Sequence, residues 1–177
     1  MPQNRWMGDE VRIQENCLRV SLVVWIGFLA SGCGTGSNAP DMNEGRDAEI
    51  MNVLDRYMDG LNDLNLEQHV STYHFPHYRH ASGKIVVWQS AREAIPGLDL
   101  PEEERRPALR AVLEPDWHRS EWTRRDIVQG DDQKVHVVTQ FVRLREDGSV
   151  IKTFDSLYVM TKESGDWGIK GRSSFAP

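Results

Sequence analysis

The fold is decided by residues 47–73, DAEIMNVLDRYMDGLNDLNLEQHVSTY, in which apolar side chains recur at helical spacing. The recurring residues are Ile50, Leu54, Tyr57, Met58 and Leu61, with polar residues between them. This pattern predicts an amphipathic helix over 47–64. After a turn at 62–65, Leu66, Val70 and Tyr73 share one side, which predicts a second, short helix that Pro76 ends.

The residues after Pro76 predict short strands and helices up to Leu113, and strands from Trp117 onwards. Two short strands are expected at 77–80 and 85–88, followed by a short helix capped by Ser90 and another helix from Pro101 to Leu113. Four segments rich in Val, Thr, Phe and Tyr then predict an antiparallel meander, at 122–129, 134–145, 150–162 and 167–174. Helices followed by a meander predict an α+β domain whose helices cover one face of the sheet.

The composition is that of one globular domain with an acidic balance. The chain has 177 residues, of which 39% are hydrophobic and 27% charged, and a formal net charge of -6. This length favours a single core. The acidic balance offers no basic surface for phosphates, so we expect no nucleic-acid partner. Both cysteines, Cys17 and Cys33, lie near the N-terminus, so we expect no disulfide framework in the domain.

The N-terminal segment has the features of an export signal. The apolar run VSLVVWIGFLA (20–30) follows Arg12 and Arg19 and is too short to span a bilayer. The string LASGC (29–33) resembles a bacterial lipobox, with Ala30 where Leu is usual. That resemblance implies a signal peptide over 1–32, a lipidated Cys33 with a flexible tether over 33–46, and a location in the bacterial cell envelope. An ordinary cleaved signal peptide is the alternative.

Three stretches carry a resemblance to a known family: RYMDGLNDLNLEQHVSTY (56–73), FPHYRHASG (75–83) and DSLYVMTKESGDWGIKGRSSF (155–175). They resemble the nuclear transport factor 2-like superfamily, specifically its SnoaL-like branch. The resemblance implies a SnoaL-like domain over 47–177, built as a cone-shaped, curved antiparallel sheet packed against N-terminal helices around a pocket. Isomerases, cyclases, dehydratases and binding modules share this fold, so it implies no single activity.

Similarity to the ketosteroid isomerases of this superfamily suggests three catalytic candidates. It places Tyr57 and Asp155 at the positions of the tyrosine and aspartate that form an oxyanion hole in those enzymes. The carboxylate base has no counterpart, because its position falls at His80 or Ala81; a histidine of near-neutral pKa could replace it. The alternative is a structural role, with Tyr57 in the core and Asp155 bonded to Arg172 or to a backbone amide.

A metal site is not expected in the domain, although three histidines lie close together in sequence. His77 and His80 would point to opposite faces of a strand, and Pro76 breaks any helix that could align them with His74. No compact carboxylate cluster completes a ligand set. We therefore expect neither a metal nor a cofactor.

Aromatic side chains are abundant and suit the lining of a pocket, since they combine apolar surface with a polar tip. The candidate ligand-binding residues are Tyr73, His77, Trp88, Trp117, Trp122, Tyr158 and Arg172. Simple core packing is the alternative for each aromatic residue. Strand alternation does not decide whether Arg172 points into the cone or to solvent.

Three functions are compatible with the sequence. The first, which we favour, is a lipid-tethered domain that binds a small hydrophobic molecule or a partner protein in its pocket. The second is an isomerase- or cyclase-like enzyme that transfers a proton beside a carbonyl. The third is a structural module that forms a homodimer through its sheet.

Overall fold

The computed structural model describes residues 42–175, and the fold begins there with two helices. The predicted signal peptide, Cys33 and most of the predicted tether lie outside the described residues. The elements are α1 (Met42–Asn62), α2 (Leu66–Ser71), β1 (Tyr73–Ala81), β2 (Lys84–Trp88), α3 (Ala91–Ala94), a 3-10 turn (Pro96–Asp99), α4 (Glu102–Ala111), β3 (Arg119–Gly130), β4 (Lys134–Leu144), β5 (Val150–Glu163) and β6 (Asp166–Ser174).

The six strands form one curved sheet in the order β2-β1-β6-β5-β4-β3. The predicted meander of β3 to β6 and the α+β class are confirmed. One pairing differs from the expected antiparallel sheet, because β1 runs parallel to β6. The parallel pair brings the first strand of the chain against the last one and makes the sheet mixed.

Two element boundaries differ from the sequence prediction. Helix α1 begins at Met42, inside the segment predicted to be a tether. Pro76 lies within β1 rather than ending α2, which stops at Ser71. Between Tyr73 and Tyr78 the register of β1 against β6 shifts, and proline, which has no N–H to donate, is tolerated at such an irregularity.

The core lies between α1 and the inner face of the sheet. The apolar stripe of α1 packs against side chains that alternate inward along β4, β5 and β6. One cluster contains Ile50, Val53, Leu54, Tyr57, Val135, Val137, Tyr158, Met160, Trp167 and Ile169. A second cluster, towards the end of α1, contains Met58, Leu61, Leu113, Trp117, Phe141 and Phe154.

The end of α1 is fixed by hydrogen bonds within its last turn and by a side-chain contact to β3. Asn65 N donates to Gly60 O at 2.8 Å and Leu64 N to Leu61 O at 3.1 Å, which is the Schellman pattern of a helix end. The Asn62 side chain bonds both backbone groups of Ser120 at the start of β3, with its Oδ1 accepting at 2.8 Å and its Nδ2 donating at 3.0 Å. These contacts set where the sheet begins relative to α1.

Among residues 42–175, no helix is long and apolar enough to cross a bilayer.

Replacing Gly60 tests the close approach of α1 to α2. A Cβ at Gly60 would lie 2.6 Å from the backbone N and 2.8 Å from the Cα of His69, so the helices would have to separate. We expect Gly60→Ala to lower the free energy of unfolding by about 1–3 kcal/mol, measured by urea denaturation. The matched control is Gly45→Ala in the same helix, where nothing lies within 4 Å. There, alanine should stabilise by up to about 1 kcal/mol, and equal behaviour of the two variants would contradict the packing described.

Candidate functional site

A half-open space of about 190 Å³, here called the interior cavity, lies between the inner face of the sheet, α1, α2 and the end of α4. Its walls combine apolar side chains such as Leu61, Phe141 and Phe154 with an unusual number of polar ones. The polar lining residues are Tyr57, His69, Tyr73, Arg79, Arg143, Ser156, Arg172 and Ser174. No Asp or Glu side chain of residues 42–175 lines this space.

Arg172 reaches the interior cavity because of a β-bulge in β6. Ile169 and Gly171 pair with two adjacent residues of β5, so Lys170 between them is an extra residue. The extra residue shifts the alternation of the strand. In a regular strand, residues three apart point to opposite faces. Because of the extra residue, Arg172 instead lies on the same inner face as Ile169.

The Arg172 guanidinium lies among tyrosine side chains of the core. Its Nη1 donates to the Tyr57 hydroxyl at 2.6 Å, and its centre lies 5.9 Å from the ring centroid of Tyr158. Burial raises the pKa of the Tyr73 and Tyr158 hydroxyls. These two hydroxyls are therefore neutral at physiological pH and do not offset the positive charge of the arginine.

His69 is held as a neutral ring at the edge of the cavity. Its Nδ1 donates to the Tyr57 carbonyl at 2.9 Å, which leaves Nε2 to accept from the Tyr73 hydroxyl at 3.3 Å. Burial is the main cause that lowers its pKa to about 4, and the nearby Arg172 charge lowers it further. Both ring nitrogens are thus hydrogen-bonded, and the neutral side chain forms a polar part of the cavity wall.

Arg79 and Arg143 differ in how their charges are balanced. Arg143 pairs with Glu114 at 2.6 Å. Arg79 has no hydrogen bond or ion pair with any of residues 42–175, and its pKa is lowered by burial and by the Arg172 charge. Among the described residues, the Nε atoms of Arg79 and Arg172 and the Ser174 hydroxyl are buried without a hydrogen-bond partner.

An apolar groove of about 610 Å³, here called the α4 groove, adjoins the interior cavity. Its walls come from α2, the 3-10 turn and one side of α4, and include Leu66, Ile95, Leu100 and Ala108. Four side chains line both spaces: His69, Tyr73, Leu109 and Val112. The two spaces therefore meet at these four residues.

The three candidate catalytic residues do not come together. Tyr57 lies in the interior cavity, as described above. Asp155 lies on the outer face of β5, exposed, where its Oδ1 accepts from Gln140 Nε2 at 2.8 Å rather than from Arg172. His80 is exposed on the same outer face, beside Ile85 of β2 and Ser173 of β6. The sheet separates both residues from Tyr57, so no oxyanion hole or acid–base pair forms from this set.

Of the candidate ligand-binding residues, some line the interior cavity and others pack in the core behind it. Tyr73 and Arg172 line the cavity, and Tyr158 packs directly behind Arg172. Trp117 and Trp122 serve the core: their indole N–H groups donate to Ser120 Oγ and to the Leu54 carbonyl.

His77 and Trp88 form a stack behind Tyr73. The ring centroid of His77 lies 4.2 Å from that of Tyr73 and 5.6 Å from that of Trp88, with nearly parallel planes. His77 Nδ1 donates to the Ile169 carbonyl at 2.9 Å, and burial lowers the pKa of its ring to about 4. This stack supports the cavity wall without lining it.

The three neighbouring histidines point in different directions. His77 lies in the core, His80 on the outer face, and His74 bonds Thr161 at 3.0 Å near Glu163. Within residues 42–175, no three His, Cys, Asp or Glu side chains are grouped as metal ligands.

Sequence reasoning missed Arg79, His69 and the serines of the cavity. Arg79 lies two residues after the buried His77, so strand alternation alone could have placed both on one face. The pairing of Arg79 with Arg172 had no local signal, because the two strands are 93 residues apart in the chain at that pair.

Acid should unfold the domain through its buried histidines. His69 and His77 have folded pKa values of about 4, below the ordinary value of 6.5, so the unfolded state binds protons first as pH falls. Stability should therefore be full near pH 7.5 and fall by roughly 2 kcal/mol per histidine by pH 5. Urea denaturation at several pH values measures this loss. Replacing the exposed His80 with Asn should not change the slope, and a flat profile between pH 7 and 5 would contradict the neutral burial of both rings.

Solved structures with the same fold come from several bacteria. A structure from Shewanella oneidensis MR-1, described as an NTF-2 like protein of unknown function, shares 15% identity and covers 74% of this chain and 99% of that one, with a TM-score of 0.56. A second from Pseudomonas putida KT2440, also described as an NTF2-like protein of unknown function, shares 13%, covers 77% and 90%, and has a TM-score of 0.58. A third from Nostoc punctiforme PCC 73102, described as having a cystatin-like fold, shares 16%, covers 74% and 90%, and has a TM-score of 0.56.

These likenesses establish the fold and say nothing about activity. No functionally curated protein matches this chain. The sequence pattern of one family, described as "NTF2-like protein (DUF6841)", matches residues 47–173, which are most of the chain and nearly all of the described fold. The chain therefore belongs to this NTF2-like family, as the curved sheet around α1 and the resemblance of its sequence had indicated.

Proposed function

We propose that this protein binds a small, largely apolar molecule in the interior cavity and the adjoining α4 groove. The observation that carries the proposal is the junction of the two spaces at Leu109, Val112, His69 and Tyr73. With volumes of about 190 Å³ and 610 Å³, the spaces together fall within the range of small-molecule sites, roughly 300–1,000 Å³. Such sites combine apolar walls with a few convergent polar groups, as this one does.

The geometry favours binding over proton transfer beside a carbonyl. A general base must lie within hydrogen-bond reach of the proton that it removes. No carboxylate of residues 42–175 lines the cavity, and both ring nitrogens of His69 are already engaged. His80 and Asp155 lie on the other face of the sheet. The isomerase-like alternative therefore lacks its base at this site.

The proposal includes the location that the N-terminal sequence predicts. A signal peptide before Cys33 and a lipid on its thiol would hold the binding domain at a membrane surface of the cell envelope. The support for this part is the resemblance of LASGC (29–33) to a lipobox. It stays a prediction, since these residues lie outside the described part of the chain.

Filling the α4 groove should remove binding of an uncharged hydrophobic probe. Ala108 lines the groove from α4, so Ala108→Phe should occupy the space and weaken Nile red binding by at least about tenfold. The measurement is a fluorescence titration of the full chain. The matched control is Ala111→Phe, which adds the same ring to the exposed side of the same helix. Equal affinity in wild type and both variants would mean that the dye binds elsewhere and would count against the groove.

A second candidate function is dimerisation through the outer face of the sheet. Several apolar side chains are exposed on this face, on β2, β1 and β5: Ile85 by 71%, Tyr78 by 46%, Val87 by 40% and Leu157 by 36%. Exposed apolar surface is often found at protein interfaces. Dimerisation would leave the cavity on the inner face available, so the two functions are compatible.

A charge on the outer face should dissociate such a dimer. We expect the full chain to be dimeric by light scattering at micromolar concentration. Leu157→Glu should raise the dissociation constant at least about tenfold, because it would bury an unpaired carboxylate. Val128→Glu is the control, since Val128 is exposed on the edge strand β3. A monomeric wild-type chain would overturn this candidate and leave the binding proposal unaffected.

A further inference from the structure

Two arginines lie side by side on the inner face of the sheet without a carboxylate partner among the described residues. Arg79 on β1 and Arg172 on β6 are direct neighbours in the parallel pair, and both line the interior cavity. Like charges on adjacent strands repel each other, and the partial burial of both side chains strengthens that repulsion. The pKa of Arg79 is lowered by burial and by its neighbour, in agreement with this geometry.

No acidic group of the described fold compensates the pair. Glu114 is bonded to Arg143, the third arginine of the cavity lining. Arg172 donates to the Tyr57 hydroxyl and not to a carboxylate. Among residues 42–175, Arg79 has no partner in any ion pair or hydrogen bond. The cavity therefore holds two positive charges that its own walls leave unbalanced.

Unused donors also point to a missing acceptor. The Nε–H groups of Arg79 and Arg172 are buried without a hydrogen-bond partner, and so is the Ser174 hydroxyl in the same lining. Buried donors are normally paired, because an unpaired one has lost its water without replacement. An acceptor that carries negative charge would satisfy these donors and the two guanidinium charges at once.

We propose that the ligand is an amphipathic carboxylate, with its carboxylate between Arg79 and Arg172 and its apolar part directed to the α4 groove. This inference rests on the proposed binding function and names the class of ligand. The planar fork of a guanidinium matches a carboxylate, and two forks can share its two oxygens. The apolar walls at Phe141, Phe154 and Leu61 require that the apolar body begin close to the head group.

The test compares two probes that share one tail, decanoate and decan-1-ol, by calorimetric titration of the full chain at pH 7.5 below micellar concentrations. We expect decanoate to bind at least about thirtyfold more tightly than the alcohol, since hydrogen bonds to charged groups contribute strongly. Arg79→Gln should remove most of that preference, because decanoate would lose much more affinity than decanol. Arg79→Lys should keep part of it, because the charge remains while the planar fork is lost.

The matched control is Arg124→Gln, which removes an exposed arginine of β3 that pairs with Asp126 outside the cavity. It should leave both affinities as in wild type. Equal binding of decanoate and decanol by the wild-type chain would overturn the carboxylate site while leaving the binding function intact. Absence of binding by both probes, together with unchanged Nile red titrations in Ala108→Phe, would overturn the binding function as well. A clear preference for decyl phosphate over decanoate would overturn the choice of carboxylate.

Discussion

The parallel pairing of β1 with β6 holds the two parts of the sheet together. It joins the hairpin of β1 and β2, early in the chain, to a meander that follows much later. Across that pair, Tyr73 of β1 packs against the core cluster that α1 forms with β4, β5 and β6. The same pair brings Arg79 beside Arg172 and Tyr73 beside Ile169. One strand contact therefore completes the sheet and assembles the polar end of the cavity.

Much of the fold could be predicted from local pattern. The helical spacing of Ile50, Leu54 and Tyr57 predicted α1, and segments rich in Val, Thr, Phe and Tyr predicted the strands of the meander, because each signal lies within a few residues. The β1–β6 pair could not be predicted in this way. Strands so far apart in the chain are paired by the packing of the whole domain, and neither strand carries a local mark of its partner.

In the candidate site, too, some residues could be predicted from local sequence and others depend on long-range structure. Tyr73 was named because aromatic side chains suit a pocket lining, whereas the direction of Arg172 was left open. The bulge at Lys170 decides that direction and leaves no sequence signature. Asp155 was placed by similarity to an enzyme, but its position in the alternation of β5 puts it on the outer face. A shift of one residue along a strand turns a side chain from the inner face of the sheet to the outer face. Family resemblance alone therefore predicted the scaffold better than the residues of the site.

The α4 segment has a consequence for how a ligand would enter. No residue of α4 itself is fully buried, and Pro107 removes one hydrogen bond from this short helix. The sheet and α1, in contrast, hold nearly all of the buried apolar side chains. Segments with few buried contacts open in local fluctuations that leave the remaining fold intact. We therefore expect α4 to move away from the groove in local fluctuations while the arginine pair stays in place, so that ligand entry and exit would not require global unfolding.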